Sequence, residues 1–189
     1  MTIVLPTHRM SVDEFLAWSS VQVGGKYELI DGVVVMQQSQ RWAHSRAKLN
    51  VFDALRHALS RARLSYYAVP EGPTVRITAS RAFEPDVLVA PLPEPSDDSL
   101  EIPDPIIVVE VLSPSTAQID VTVKLQGYFE VPSVQHYLIV DPDGRTVTHH
   151  RRKDGTTLET RILGEGTISL DPPGLVIDVA AIFAPLGQP

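Results

Sequence analysis

The chain has 189 residues, of which 43% are hydrophobic and 21% charged, with a formal net charge of −7 and no cysteine. That length suits one domain able to bury a proper core, while the missing cysteines exclude disulfides and thiolate zinc sites. No run of about 18 apolar residues is present, which excludes a transmembrane helix, and the acidic balance argues against a broad electrostatic grip on nucleic acid, though not against a local basic patch. The first ten residues hold no basic stretch ahead of an apolar core, so no secretory signal is expected and a cytoplasmic location follows by default.

Ser11-Val-Asp-Glu14 is a capping box ahead of Phe15-Leu-Ala-Trp18, so a short helix is expected to start at Ser11, and Gly24-Gly25 breaks it. Tyr27 to Ile30 and Val33 to Met36 flank Asp31-Gly32, a strong hairpin signal. From Trp42 to Arg63 the pattern is helical: Ala47, Val51, Ala54, Leu55, Ala58 and Leu59 form an apolar stripe, and Arg46, Lys48, Arg56, Arg61 and Arg63 read as projecting from the remaining, solvated surface. Strands are expected at Ser65 to Val69, Thr74 to Ile77 and Pro85 to Ala90, followed by a loop rich in proline and acid from Pro91 to Pro105. Ile106 to Leu112 is an almost continuous β-branched run, the pattern of a strand buried on both faces.

A helix is expected from Ile119 to Glu130, ending before Pro132, and a buried strand from His136 to Val140. Asp143-Gly144 and Asp154-Gly155 mark two hairpin turns, with strands at Arg145 to Arg151 and Thr156 to Leu163, and Val176 to Phe183 closes the chain as a strand or short helix. The order gives an α/β or α+β sheet with helices packed on it and no second domain.

Two carboxylates stand where these strands do not favour them. Asp86 opens the Pro85 to Ala90 strand, and Glu110 interrupts Ile107-Val-Val-Glu-Val-Leu112. A lone ionised carboxylate in a buried strand is costly without a cation, a hydrogen-bond network or a metal. Two carboxylates brought to one end of neighbouring strands repel, and a divalent cation removes the repulsion; their hard oxygens suit Mg²⁺ or Mn²⁺. Such an ion can orient a phosphodiester and activate water. Lys124, on the helix after the Glu110 strand, is the candidate cation for a phosphate. Glu28, flanked by Tyr27 and Leu29, is the natural third acid, and Glu84 is a lesser alternative.

Tyr27-Glu-Leu-Ile-Asp-Gly32, Pro85-Asp-Val-Leu-Val89, Val108-Val-Glu-Val-Leu-Ser-Pro-Ser-Thr116, Asp120 with Lys124, and Tyr137-Leu-Ile-Val-Asp-Pro142 together resemble the Uma2 family, several of whose members are described as restriction endonucleases. The resemblance covers most of the chain, with a core of about residues 12–179. It implies the PD-(D/E)XK nuclease fold, a restriction-endonuclease-like mixed central sheet flanked by helices, here with extra β-hairpins. It also implies a Mg²⁺-dependent (or Mn²⁺-dependent) endonuclease acting on DNA, expected to work as a homodimer. By resemblance Asp86 matches the "PD" acid and Glu110 the second acid, which would bind the metal with the backbone carbonyl of Val111, while Lys124 and Glu28 complete the catalytic set. The slot two residues after the second acid, where the superfamily places its lysine, holds Leu112, and the lysine stands instead at Lys124.

Plainer readings compete with each of these. Asp86 could hydrogen-bond backbone at a strand edge, Glu110 could pair with an arginine, and Lys124 could pair with Asp120 on a helix surface. His44, near the start of the long helix, could meet the site or merely help to start the helix. His149-His150 reads as strand surface, and Tyr128, four residues after Lys124, as packing that could also steady the lysine. Ser113, Ser115 and Thr116 read as a turn leading into a helix. No Gly-x-Ser-x-Gly elbow, P-loop or dinucleotide glycine fingerprint is present. A second class of function therefore stands beside the enzyme: a non-catalytic module that binds a partner and keeps the acids for structure.

Overall fold

A computed structural model describes residues 5–37, 40–71, 73–113 and 120–187. Ser11 caps α1 (Val12–Ser19): its side chain accepts from the Glu14 amide, and the Glu14 carboxylate accepts from the Ser11 amide at 2.8 Å. Strands β1 (Tyr27–Ile30) and β2 (Val33–Met36) form the expected hairpin. Both turn residues have positive φ, Asp31 at 50° and Gly32 at 82°, the geometry that Asp-Gly supplies at least cost. Helix α2 (Trp42–Ala62) ends on a left-handed Arg63.

The chain then runs through β3 (Tyr66–Pro70), β4 (Val75–Thr78), β5 (Arg81–Phe83), β6 (Val87–Pro91) and β7 (Ile107–Val111). A π-helical turn at Asp120–Lys124 leads into α3 (Leu125–Glu130). Strands β8 (His136–Asp141), β9 (Thr146–Arg152), β10 (Leu158–Leu163), β11 (Thr167–Leu170) and β12 (Leu175–Asp178) follow, and α4 (Val179–Ile182) closes the chain.

The fold is α+β. A mixed six-stranded sheet has the order β10-β9-β8-β7-β6-β3, with β7 and β8 parallel and the other pairs antiparallel. A four-stranded sheet, β2-β1-β5-β4, and the hairpin β11-β12 complete it. Strand β7 is buried on both faces. Ile107, Val109 and Val111 join a core with Val51 and Leu55 of α2 and Ile168 and Ile177 of the β11-β12 hairpin. Val108 joins a second core with Phe83, Leu88, Tyr128 and Tyr137. This two-sided burial is the reason for the near-continuous apolar run, and Glu110 is its one break.

Two short strands escape the sequence reading. These are β5, of three residues, and β11, of four. The closing segment is both a strand and a helix: Asp178 ends β12 and caps α4 through a 2.9 Å bond from the Ala180 amide. The expected helix from Ile119 begins outside the described residues, and its described part is a π turn followed by α-helix. His149 and His150 are not strand surface but buried, because β9 is covered on both faces: His149 hydrogen-bonds His136, which is tied to Pro172 of the β11-β12 turn, and His150 stacks on Tyr137.

Candidate active site

Strand alternation aims Glu28 at the site. Tyr27 and Leu29 enter a small core with Val12 and Phe15 of α1, so Glu28 faces the other way. Its Oε1 accepts from the Glu84 amide at 3.0 Å and meets the Lys124 ammonium at 2.9 Å. Lys124 lies 2.9 Å from Glu110 Oε1 as well, and the Tyr128 hydroxyl donates to that same oxygen at 2.6 Å. Lys124 is the last residue of the π turn and Tyr128 lies one turn further on, so both reach Glu110 from one side. Gly127 permits the approach: a Cβ there would come within 2.5 Å of the Phe83 ring. Tyr128 is seated edge-on against Phe83 and tilted against Tyr137.

Asp86 is held from the opposite side. Its Oδ2 accepts from the Val111 amide at 2.8 Å and lies 3.3 Å from His44 Nε2, and its Oδ1 lies 2.8 Å from Lys48 Nζ. Lys48 also meets Glu71 at 2.8 Å and donates to Gln40 Oε1 at 3.0 Å. Gln40, His44, Asp86, Glu110, Val111 and Lys124 line one small cavity of about 20 Å³, on the order of the space one water needs.

Burial and charge oppose each other throughout. Burial pushes the Asp86 carboxyl up, yet the His44 hydrogen bond and the charges of Lys48, His44 and Lys26 outweigh it and hold it below the ordinary carboxylate range. Burial works against the Lys48 charge too, and Asp86 and then Glu71 overcome it, so its pKa is raised. Burial and then the Glu110 charge lift the Tyr128 phenol, which stays a donor. Glu84 lies beside the cluster. Burial, with the Glu28 charge adding to it and Lys26 easing it, raises Glu84 to about 7.

The structure thus brings Glu28, Asp86, Glu110 and Lys124 together, with Val111 joining through its amide. The pairing of Lys124 with Asp120 falls on a side chain outside the described residues; among the described residues Lys124 meets Glu28 and Glu110. Ser113 lines the cavity, while Ser115 and Thr116 lie outside the described residues. Lys48 overturns its expected place: it is 3% exposed rather than projecting to solvent. A signal for it was present. His44, Lys48, Val51 and Leu55 are spaced four, three and four apart, so the histidine and lysine continue the apolar stripe of α2. Lys26 was also overlooked; its ammonium is buried and has no hydrogen-bond partner among the described residues, though its charge is felt at Asp86, Glu71 and Glu84.

The fold is shared with a solved protein of Anabaena variabilis described as "a putative nuclease belonging to DUF820". The two are 19% identical with a TM-score of 0.71, over 92% of this chain and 97% of that one. The Uma2 family, described as "Putative restriction endonuclease", matches residues 12–181, and the chain belongs to it. A Synechocystis relative, "Uncharacterized protein sll1609", is 29% identical over 169 residues, 87% of this chain and 94% of the relative.

Proposed function

We propose that the chain is a metal-dependent nuclease hydrolysing phosphodiester bonds of DNA, working as a homodimer so that two sites serve two strands. The observation that carries the reading is the meeting of two strand-end carboxylates, Asp86 and Glu110, at one small cavity, each with its own buried lysine. The Asp86 and Glu110 carboxylates offer hard oxygens suited to a divalent cation, beside a space for about one small ligand. Among the described residues no three His, Cys, Asp or Glu side chains stand close enough to enclose an ion. Mg²⁺ would be held there by one or two carboxylates, with water and phosphate oxygens completing its shell.

Asp86 and Glu110, with the backbone carbonyl of Val111, would hold the ion, which when bound supplies Lewis-acid charge and lowers the pKa of its water. Lys124 offers a point charge to the scissile phosphate, and Glu28 and Tyr128 fix where that charge and the Glu110 carboxylate stand. His44 and Lys48 orient Asp86, and Lys48 also meets Glu71 and Gln40, which would remain its partners were Asp86 to hold a cation. The test is cleavage of single- and double-stranded DNA and RNA with Mg²⁺ and Mn²⁺, beside Glu110→Ala. Cleavage of DNA by the wild type alone supports the reading; no cleavage with any divalent ion sinks it.

One observation favours a second reading, a non-catalytic binding module: each carboxylate already has a lysine partner, so the cluster is satisfied as it stands. Thermal melting separates the two. Under the nuclease reading Mn²⁺ raises the melting temperature of the wild type and not of Asp86→Ala; under the second reading neither protein responds.

A further inference from the structure

The two edges of the six-stranded sheet are treated differently. Strand β3 is half-buried along its length, sends Tyr66 and Ala68 into the core and ends in Pro70. Strand β10 has six residues, without proline, glycine or lysine, and among the described residues pairs with β9 on one side only. Its outer side is open: Ile162 is 72% exposed and Leu158 38%. A free edge of this length offers a row of unpaired amides and carbonyls to another strand, and proteins ordinarily blunt such an edge with lysine, proline or a bulge.

The sequence of β10, Leu158-Glu-Thr-Arg-Ile-Leu163, is complementary to itself. We propose that a second copy of this chain pairs with β10, antiparallel about a two-fold axis at Thr160, joining two six-stranded sheets into one. Facing residues in an antiparallel pair share a face of the sheet, and a two-fold interface makes every contact twice. With the axis at Thr160, Glu159 of each copy faces Arg161 of the other, and on the opposite face Leu158 of each copy covers Ile162 of the other. Moving the axis to Glu159 sets glutamate against glutamate, and moving it to Arg161 sets arginine against arginine, both unfavourable. The charges therefore specify one register and reject its neighbours. In the single chain the same two side chains pair with each other at 2.6 Å along the open edge, so the pair is available for exchange across the axis.

This pairing forms the interface of the homodimer in the proposed function and stands or falls independently of DNA cleavage. It is tested on the full chain by light scattering and sedimentation over a dilution series. The wild type is expected at twice the monomer mass, dissociating on dilution. Glu159→Arg and Arg161→Glu are each expected to be monomeric, because both edges of the pairing then carry one sign. Mixed in equal amounts, the two variants are expected to form a heterodimer, since the charges are again opposite; the doubly reversed variant should dimerise with itself. Circular dichroism of each variant checks that these exposed substitutions leave the fold intact. A wild type that stays monomeric at the highest concentration overturns the proposal. So does a dimer that both single reversals leave untouched, or a mixture of the two reversals that stays monomeric.

Discussion

The parallel strands β7 and β8 bury a polar cluster at each end, and the two clusters solve desolvation in opposite ways. At the C-terminal end Glu110, Asp86 and Glu28 meet two lysines in ion pairs of 2.8–2.9 Å. At the N-terminal end His136 bonds His149 ring to ring at 2.9 Å and the Pro172 carbonyl at 2.9 Å. A carbonyl only accepts, so His136 Nε2 carries a proton, and in the neutral ring its Nδ1 accepts from His149 Nε2. Burial drives both histidines down to about 4, with nearby arginine charge adding to it, and the cluster is satisfied without any charge. Packing thus needs no ions at one end of the sheet. At the other end the fold keeps five, although apolar residues often serve stability as well or better than a buried ion pair. The excess cost points to chemistry rather than to packing.

Breaking the charged end should have the largest effect. Lys124→Met strands Glu28 and Glu110 side by side and is expected to destabilise the chain by about 3–5 kcal/mol, the usual cost of removing one partner of a buried pair. Urea denaturation measures it, and adding Glu28→Gln and Glu110→Gln should recover most of the loss. If Lys124→Met alone is neutral, the contrast between the two ends fails. Glu110→Gln keeps the shape and removes a charge; under the proposed function it lowers DNA cleavage by about 10²–10³, the scale of one lost electrostatic stabiliser. Equal cleavage by the two proteins at saturating Mg²⁺ would remove Glu110 from the site.

Acid separates the clusters without mutation. The histidines have folded pKa values of about 4 against roughly 6.5 when unfolded, so protons between those values bind the unfolded chain preferentially. Their contribution is full above about 6.5 and is lost as pH falls toward 4. Asp86, a carboxylate held below its ordinary range, contributes fully above the unfolded carboxylate value near 3.9 and loses that contribution only in stronger acid. Stability against pH should therefore fall in two stages, the histidine stage first. In a His136→Phe/His149→Phe protein the first stage should shrink to what the buried His150, whose pKa burial also lowers, still contributes, and the second should remain. A single stage common to both proteins would show that the neutral cluster carries no linkage.

The same contrast explains what was legible in the sequence. Asp86, Glu110 and Glu28 stand out because each is a single acid in an apolar strand, a conflict visible without any fold. The Asp31-Gly32 turn and the stripe of α2 are local patterns of the same kind. Lys48 and His44 were harder to place, since a cation on a helix is ordinary until the acid that buries it, on a distant strand, is known. The histidine end differs from its expected place for a tertiary reason as well: the β11-β12 hairpin, of which the sequence announces only the second strand, covers His149 through His136 and Pro172.

Tyr128→Phe is the mildest and cleanest probe of the charged end. The ring keeps its place, seated 5.3 Å from Phe83 and 5.0 Å from Tyr137 between ring centres, so only the hydroxyl is lost. Glu110 loses a 2.6 Å donor but retains Lys124, so the carboxylate is weakened rather than stranded. A loss of about 1.5 kcal/mol is expected, the lower range for a hydrogen bond to a charged group. In the Lys124→Met background the same hydroxyl still donates to Glu110, and its removal should cost more than it does in the wild type. A double-mutant cycle in urea reads that coupling. Strict additivity would mean that Tyr128 packs against the cluster without holding Glu110, and the charged end would then rest on its lysines alone.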